Sequence, residues 1–162
     1  MPLTERQATI EDLPRLLEIE QSAFPPGRWA SESSLRDRIA LFGIGSRIAF
    51  SSDIPAAFAN GFPISKRSTH AELSPPDREL FDKNGSVWFL RNVAVHKQFQ
   101  KKGLGKFLIS KQIALAREFN ARHFRFTATM DLTAYYAALG FKVLQKESVF
   151  HGVPQTVWDM QL

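Results

Sequence analysis

The sequence predicts a mixed α/β domain whose elements run in the order βααβββαβαββ. Three observations lead there. Short apolar runs with period-two character and amphipathic stretches of helical spacing follow one another unevenly, not as parallel units repeated from end to end. Turn residues punctuate the junctions, as in "FPPG", "GIG", "SSD" and "KKGLG". The 162 residues carry no repeat, low-complexity tract or interdomain linker, which fits a single domain over 1–162 with a full hydrophobic core.

The elements follow in order. "ERQATI" is the first expected strand. Thr9 reads as a helix N-cap with Asp12 three residues on, ahead of Leu13, Leu16, Leu17 and Ile19 at helical spacing, and "AFPPG" stops that helix. "ASESSLRDRIALF" is a second helix, ended by Gly43 and Gly45. "SRIAFS" and "IPAAFANGFPI" are strands joined at "SSD", the second weakened by Pro55 and Gly61. Residues 65–85 are polar and turn-rich, the longest irregular segment and a candidate functional lid. A strand over Ser86 to Val95, a helix from Gly103 to Phe119 and the strand "HFRFTAT" come next. A short helix "LTAYYAAL", closed by Gly140, precedes a final hairpin of "FKVLQKESVF" and "PQTVWDMQL" that turns at His151–Gly152.

Composition narrows the function classes. Charged residues make up 23% and hydrophobic residues 44% of the chain, ordinary globular values. The start has no apolar core of a signal peptide, and no apolar stretch reaches the roughly 20 residues that span a bilayer. A cytoplasmic location without a membrane partner is the expectation. With no cysteine, disulfides, thiolate metal ligands and a cysteine nucleophile are excluded. Direct transfer between two bound substrates is therefore simpler than a covalent relay, and no metal is expected.

The net charge of +5 invites a nucleic-acid reading, but its distribution argues otherwise. Lys97, Lys101, Lys102, Lys106, Lys111, Arg117, Arg122 and Arg125 face a single acid in that stretch, Glu118. The rest of the chain is slightly acidic. A small, focused anion site fits this better than a broad basic face, so no nucleic-acid partner is expected.

That charge surrounds a glycine turn between a strand and a helix. Two phosphate-loop patterns fail there. In a P-loop, Gln100 would have to be glycine and Phe107 serine or threonine; in a dinucleotide fingerprint, Leu108 would have to be glycine. The physics survives. Amides in a helix's first turn lack intrahelical partners and point outward at the positive end of the helix dipole. Glycines at 103 and 105 let phosphates approach those amides, and Lys101, Lys102 and Lys106 add charge. The expected ligand is a pyrophosphate, with a solvated basic helix start as the bland alternative.

"QKKGLGK" at 100–106, preceded by "NVAVHKQF", resembles the coenzyme signature of the GNAT superfamily of acyl-CoA N-acyltransferases, [R/Q]-x-x-G-x-[G/A] after a strand. "AYYAALGF" at 134–141 resembles the family's Y-x-x-x-G-F block, and the element order agrees. The resemblance covers nearly the whole chain. It implies a mixed, mostly antiparallel central sheet flanked by about four helices, with acetyl-CoA as co-substrate. Within the superfamily, "SAFPPGRWASESSLRDRI" and "FLRNVAVHKQFQKKGLG" are most similar to the arylalkylamine (serotonin-type) N-acetyltransferases and their microbial relatives.

Residue roles follow from the resemblance. The backbone of Val93, Ala94 and Val95 would pair with the pantetheine arm. Gln100, Lys101, Lys102, Gly103, Leu104, Gly105 and Lys106 would hold the pyrophosphate. Tyr136 would protonate the departing thiolate, although a core aromatic is the alternative use of that ring. Phe24, Pro25 and Trp29, with Phe89 and Arg91, would bound the acceptor site, or simply pack. The match breaks at the base. Where the arylalkylamine group has two histidines, this chain has Phe89 and Arg91, and neither accepts a proton. His70, Glu72 and His96 are the remaining candidates, alongside water. The implied activity is acetyl transfer to a primary amine, an arylalkylamine or similar small amine, by a monomer or homodimer. A peptide or protein N-terminal acetyltransferase and a catalytically silent coenzyme-binding regulator are the alternatives.

Overall fold

The computed structural model describes residues 2–69, 71–129, 132–150 and 153–162. The chain begins with β1 (Leu3–Gln7), α1 (Leu13–Ala23), α2 (Glu32–Leu41), β2 (Ser46–Ser51) and β3 (Ile54–Ile64). It continues with α3 (Asp77–Leu80), β4 (Val87–Val95), α4 (Leu104–Glu118), β5 (His123–Thr129), α5 (Thr133–Ala138), β6 (Lys142–Phe150) and β7 (Val153–Gln161). The strands form one seven-stranded sheet in the order β1-β2-β3-β4-β5-β7-β6. The mixed, mostly antiparallel architecture is the expected one. The expected four helices become five, because α3 folds inside the 65–85 segment. Two compact units divide the chain: Met1–Gly61 with Asn92–Leu115, and Phe62–Arg91 with Ala116–Leu162.

In the first unit, β1 ends at Gln7, short of the expected "ERQATI". The reason is the helix entry. Ala8 N donates to Ser46 O at 2.7 Å, and Thr9 N donates to the Asp12 carboxylate at 2.8 Å, the reciprocal half of a capping box. Thr9 and Ile10 therefore belong to the turn into α1. Ser31 caps α2, its hydroxyl accepting from Ser34 N at 3.1 Å. β1 and β2 run antiparallel, as do β2 and β3. The β2–β3 ladder slips between Ala49 and Phe50, where Phe50 meets Pro55. A proline has no amide to donate, so a bulge absorbs it. Pro55 O accepts instead from Arg15 of α1 at 2.7 Å. The core here is mainly aliphatic: Ala8, Leu13, Leu16, Ile19, Leu35, Ile48 and Ala94, joined by Phe58, with Phe24 and Phe50 packed against it.

The second unit is built on rings. Phe126 meets Phe141 edge-on at 4.9 Å, and Phe62 meets Phe89 edge-on at 6.0 Å. Such edge-to-face pairs add about 0.5–1.5 kcal/mol each beyond the area they bury. β5 and β7 pair antiparallel over the whole of β5, from His123 opposite Gln161 to Thr129 opposite Gln155. The parallel ladder of β4 on β5 covers only Val87–Phe89 against His123–Arg125. Two arginines tie the 65–85 segment down. Arg125, only 3% exposed, donates to Asp159 and to Arg67 O, both at 2.7 Å. Arg91 donates to Leu73 O and pairs with Asp77, both at 3.0 Å. The segment expected to be a lid is thus anchored at two places.

Candidate functional site

The expected anion loop lies at the junction of β4 and α4, where the structure forms a glycine turn. Ala94 points into the aliphatic core, at 1% exposure, while Val93 and Val95 are half-buried on the opposite strand face. His96 N donates to Ala56 O at 2.9 Å, extending the strand's hold on β3 by one residue. Gln100 Nε2 then reaches back to Val95 O at 3.1 Å and closes the loop on the strand end.

Two residues bend the chain into the helix. Lys101 (φ 62°) and Gly103 (φ 85°) both lie in the left-handed region, which turns successive amides toward a common side. Leu104 is buried at 1% and fixes the first turn of α4. Gly103 O accepts from Phe107 N at 2.9 Å, so the amides of Gly103 to Lys106 are those left without an intrahelical acceptor. A Cβ at Gly103 would meet nothing within 4 Å, and one at Gly105 would touch only Val95 Cγ2 at 3.9 Å. The space over these amides is open, as a docking diphosphate requires. Lys101, Lys102 and Lys106 are exposed, with Lys102 Nζ lying 5.4 Å from the centre of the Phe99 ring.

The expected acceptor residues divide between the two units. Phe24 packs on the aliphatic core, Pro25 is exposed, and Trp29 is 41% exposed with its indole N–H donating to Phe24 O at 2.7 Å. These three belong to one short segment that turns on itself. In the other unit Phe89 is 1% exposed and fully engaged with Phe62. Arg91 directs its guanidinium to Leu73 O and Asp77 and lies over the Phe89 ring.

Tyr136 sits on α5 among rings, 4.7 Å from Phe126 and 5.5 Å from Trp158 between centroids. Burial, with a smaller contribution from Tyr135, pushes its phenol up to about 12. It therefore stays protonated across the neutral range. Tyr135 beside it is 41% exposed.

The remaining base candidates are occupied or lie elsewhere. The Glu72 carboxylate accepts from the amides of Ser68 and Thr69, and those bonds hold it below the usual carboxylate range. His96 Nδ1 accepts from Gln98 N at 3.3 Å, capping the turn after β4. His70 and the His151–Gly152 turn lie outside the described residues. Among the described residues no three His, Asp or Glu side chains gather as metal ligands, and no helix is long and apolar enough to cross a membrane.

One further group stands beside the expected acceptor segment. Glu20 is 2% exposed on α1, accepting from Ala30 N at 2.7 Å and from Asn92 Nδ2 at 2.9 Å. Burial raises its pKa, opposed by those two hydrogen bonds and by Arg38. The signal was in the spacing: Glu20 falls on the stripe of Leu13 and Leu16, where an apolar residue would belong.

The sequence profile described as the acetyltransferase (GNAT) family matches residues 13–141. No curated protein matches the chain significantly. Among solved structures, the loading GNATL domain of CurA from Lyngbya majuscula shares the fold with a TM-score of 0.85 at 14% identity, over 99% of this chain and 98% of that one. The ribosomal-protein-S18-alanine N-acetyltransferase from Escherichia coli gives a TM-score of 0.72 at 18% identity, over 99% and 94%. The yncA protein from Salmonella typhimurium, solved with its cofactor acetyl-CoA, gives 0.70 at 20%, again over 99% and 94%. A family profile that runs from the first turn of α1 to the start of β6, on a chain with this strand order and helix-start loop, places it in the acetyltransferase (GNAT) family.

Proposed function

We propose that the chain moves an acetyl group from acetyl-CoA to a primary amine, an arylalkylamine or similar small amine, by direct transfer. One observation carries this reading: the open helix-start loop from Lys101 to Lys106, with two left-handed residues and unobstructed glycines, in a chain of this family. The loop's amides would take the pyrophosphate. The backbone of Val93 to Val95 would take the pantetheine arm as an added strand does.

The amine must be neutral to attack the thioester carbonyl. As nitrogen bonds to carbon, the carbon–sulfur bond breaks, and one proton passes in net from nitrogen to sulfur. Tyr136 is the proposed donor to the departing sulfur. A thiol's ordinary pKa is about 8.5, well below that of this phenol. The hydroxyl therefore serves sulfur as a hydrogen-bond donor without giving up its proton for long. Phe89 cannot accept the ammonium's proton, and Arg91 is committed to Leu73 and Asp77. Water would carry it, or one of His70, Glu72 and His96.

Thiol release from acetyl-CoA over a panel of arylalkylamines, polyamines and peptide N-termini tests the reading. Turnover of small amines is the expected result. Faster turnover of peptide N-termini would move the assignment to an N-terminal acetyltransferase, and coenzyme binding without turnover of any amine would leave a silent regulator. Tyr136→Phe should lower kcat about a hundredfold, at the low end for a lost proton donor, with coenzyme affinity almost unchanged. Unaltered kcat would remove Tyr136 from the mechanism. On the alkaline side, wild-type activity should hold past the ordinary phenol value of 10.0, because the group loses its proton only near 12.

A further inference from the structure

We propose that Glu20, bridging Ala30 and Asn92, is a positioning residue that sets where the amine acceptor meets the coenzyme strand. The inference rests on the acetyl-transfer reading above, and it concerns a side chain that would touch neither substrate. Glu20 stands in the last turns of α1, the helix that runs into the segment holding Phe24, Pro25 and Trp29. One carboxylate oxygen takes the amide of Ala30, where that segment ends and α2 is about to begin. The other takes the side-chain amide of Asn92, the residue just before Val93 on β4.

The chemistry explains why a glutamate is there at all. Burying a carboxylate is costly unless its oxygens are satisfied. An apolar residue would suit the stripe of Leu13 and Leu16 better for stability alone. The two neighbours to be joined, however, both present N–H donors. A carboxylate offers two acceptor oxygens, whereas a glutamine offers one acceptor and one further donor. Because the carboxylate can only accept, the atom of Asn92 facing it must be the amide nitrogen. Arg38, itself only 8% exposed, favours the charged form.

A second bond fastens the same helix end to the same part of the chain. Ser22 Oγ accepts from Lys97 N at 2.9 Å, in the turn that leads from β4 to the glycine loop. The end of α1 is thus clipped to the coenzyme segment on both sides of Val93–Val95. The acceptor segment leaves that clip at Phe24 and returns to it at Ala30. Within it, Trp29 Nε1 donates to Phe24 O and Arg28 N to Pro25 O at 3.1 Å, so it moves as one piece. It is tied to β4 by hydrogen bonds through Glu20 and Asn92. Loosening it should cost acceptor binding and leave coenzyme binding intact.

A reciprocal exchange tests this. Glu20→Leu removes both acceptors, and Asn92→Asp sets two carboxylates against each other. The double variant Glu20→Gln/Asn92→Asp restores one donor facing one acceptor and the same total charge. Each single variant should raise the acceptor KM about tenfold, the equivalent of roughly 1.4 kcal/mol, with coenzyme affinity by calorimetry within about twofold of wild type. The double variant should recover most of that KM. Amide exchange over residues 24–30 should quicken in the single variants and slow again in the double. A lower melting temperature with unchanged KM would overturn the proposal, as would a double variant no better than the singles. If wild type binds acetyl-CoA but acetylates no amine, the acetyl-transfer reading fails by itself, and exchange over 24–30 still decides whether the clip exists.

Discussion

The unit that carries Lys101 to Lys106 is cored by aliphatic side chains, whereas the unit that carries Tyr136 is cored by rings. Their polar ties differ in the same way. In the first unit, the loop proposed to take the diphosphate is made almost wholly of main chain: a left-handed lysine, a left-handed glycine and first-turn amides. In the second, side chains do the joining, with Arg125 and Arg91 reaching across long sequence separations to backbone carbonyls. A ligand site made of backbone can be moved intact by a short motif. One made of long side chains depends on every strand that delivers a partner.

That contrast can be broken first in the ring-cored unit. Arg125→Met keeps the bulk but, among the described residues, leaves Asp159 with His123, at 3.2 Å, and removes the bond to Arg67 O. Removing one partner of a buried ion pair should cost about 3 kcal/mol in urea unfolding. A loss no larger than that of an exposed arginine would show that the second unit is held by its rings alone.

In the backbone-built loop the effects should be smaller and should separate folding from binding. Gly103→Ala meets no neighbour but must hold a φ of 85°, so it should cost about 1 kcal/mol of stability and also weaken acetyl-CoA binding. Gly105→Ala fits beside Val95 without strain. It should leave the urea midpoint unchanged, and any loss of coenzyme affinity would report the approach of the ligand itself. Equal behaviour of the two variants in both assays would contradict the loop geometry.

The smallest effect belongs to the helix entry. Arg6, with the Thr9 amide, holds the Asp12 carboxyl below its ordinary 3.8. A carboxyl with a lowered folded value contributes stability above its unfolded value and loses it as pH falls through the lowered one. Asp12→Asn should therefore cost about 0.5 kcal/mol at neutral pH and almost nothing once acid has protonated the wild-type group.

The same contrast explains what could be read from the sequence. β2, β3 and β5 were legible to the residue because alternation and flanking turns bound them on both sides. The turn into α4 was legible because spacing alone determines where glycines and first-turn amides fall. α3 was not, since four residues opening on Pro76 carry too little periodicity to stand out from a turn-rich segment. The partners of Arg91, Leu73 and Asp77, were not legible either, because they lie outside its own strand and no local pattern announces them. Glu20 was visible only as an acid on an apolar stripe, and its donors come from Ala30 and distant Asn92.

The arginine anchors carry one more consequence, for engineering. Arg125 and Arg91 grip the 65–85 segment largely through the carbonyls of Arg67 and Leu73, groups that every residue possesses. Exposed side chains in that segment can therefore be replaced without cutting its moorings, provided Asp77, the buried Leu73 and Leu80 and the tightly packed Gly85 stay. Those exposed positions are where text can be rewritten while its binding to the page is kept, the natural place to build variant libraries on this scaffold.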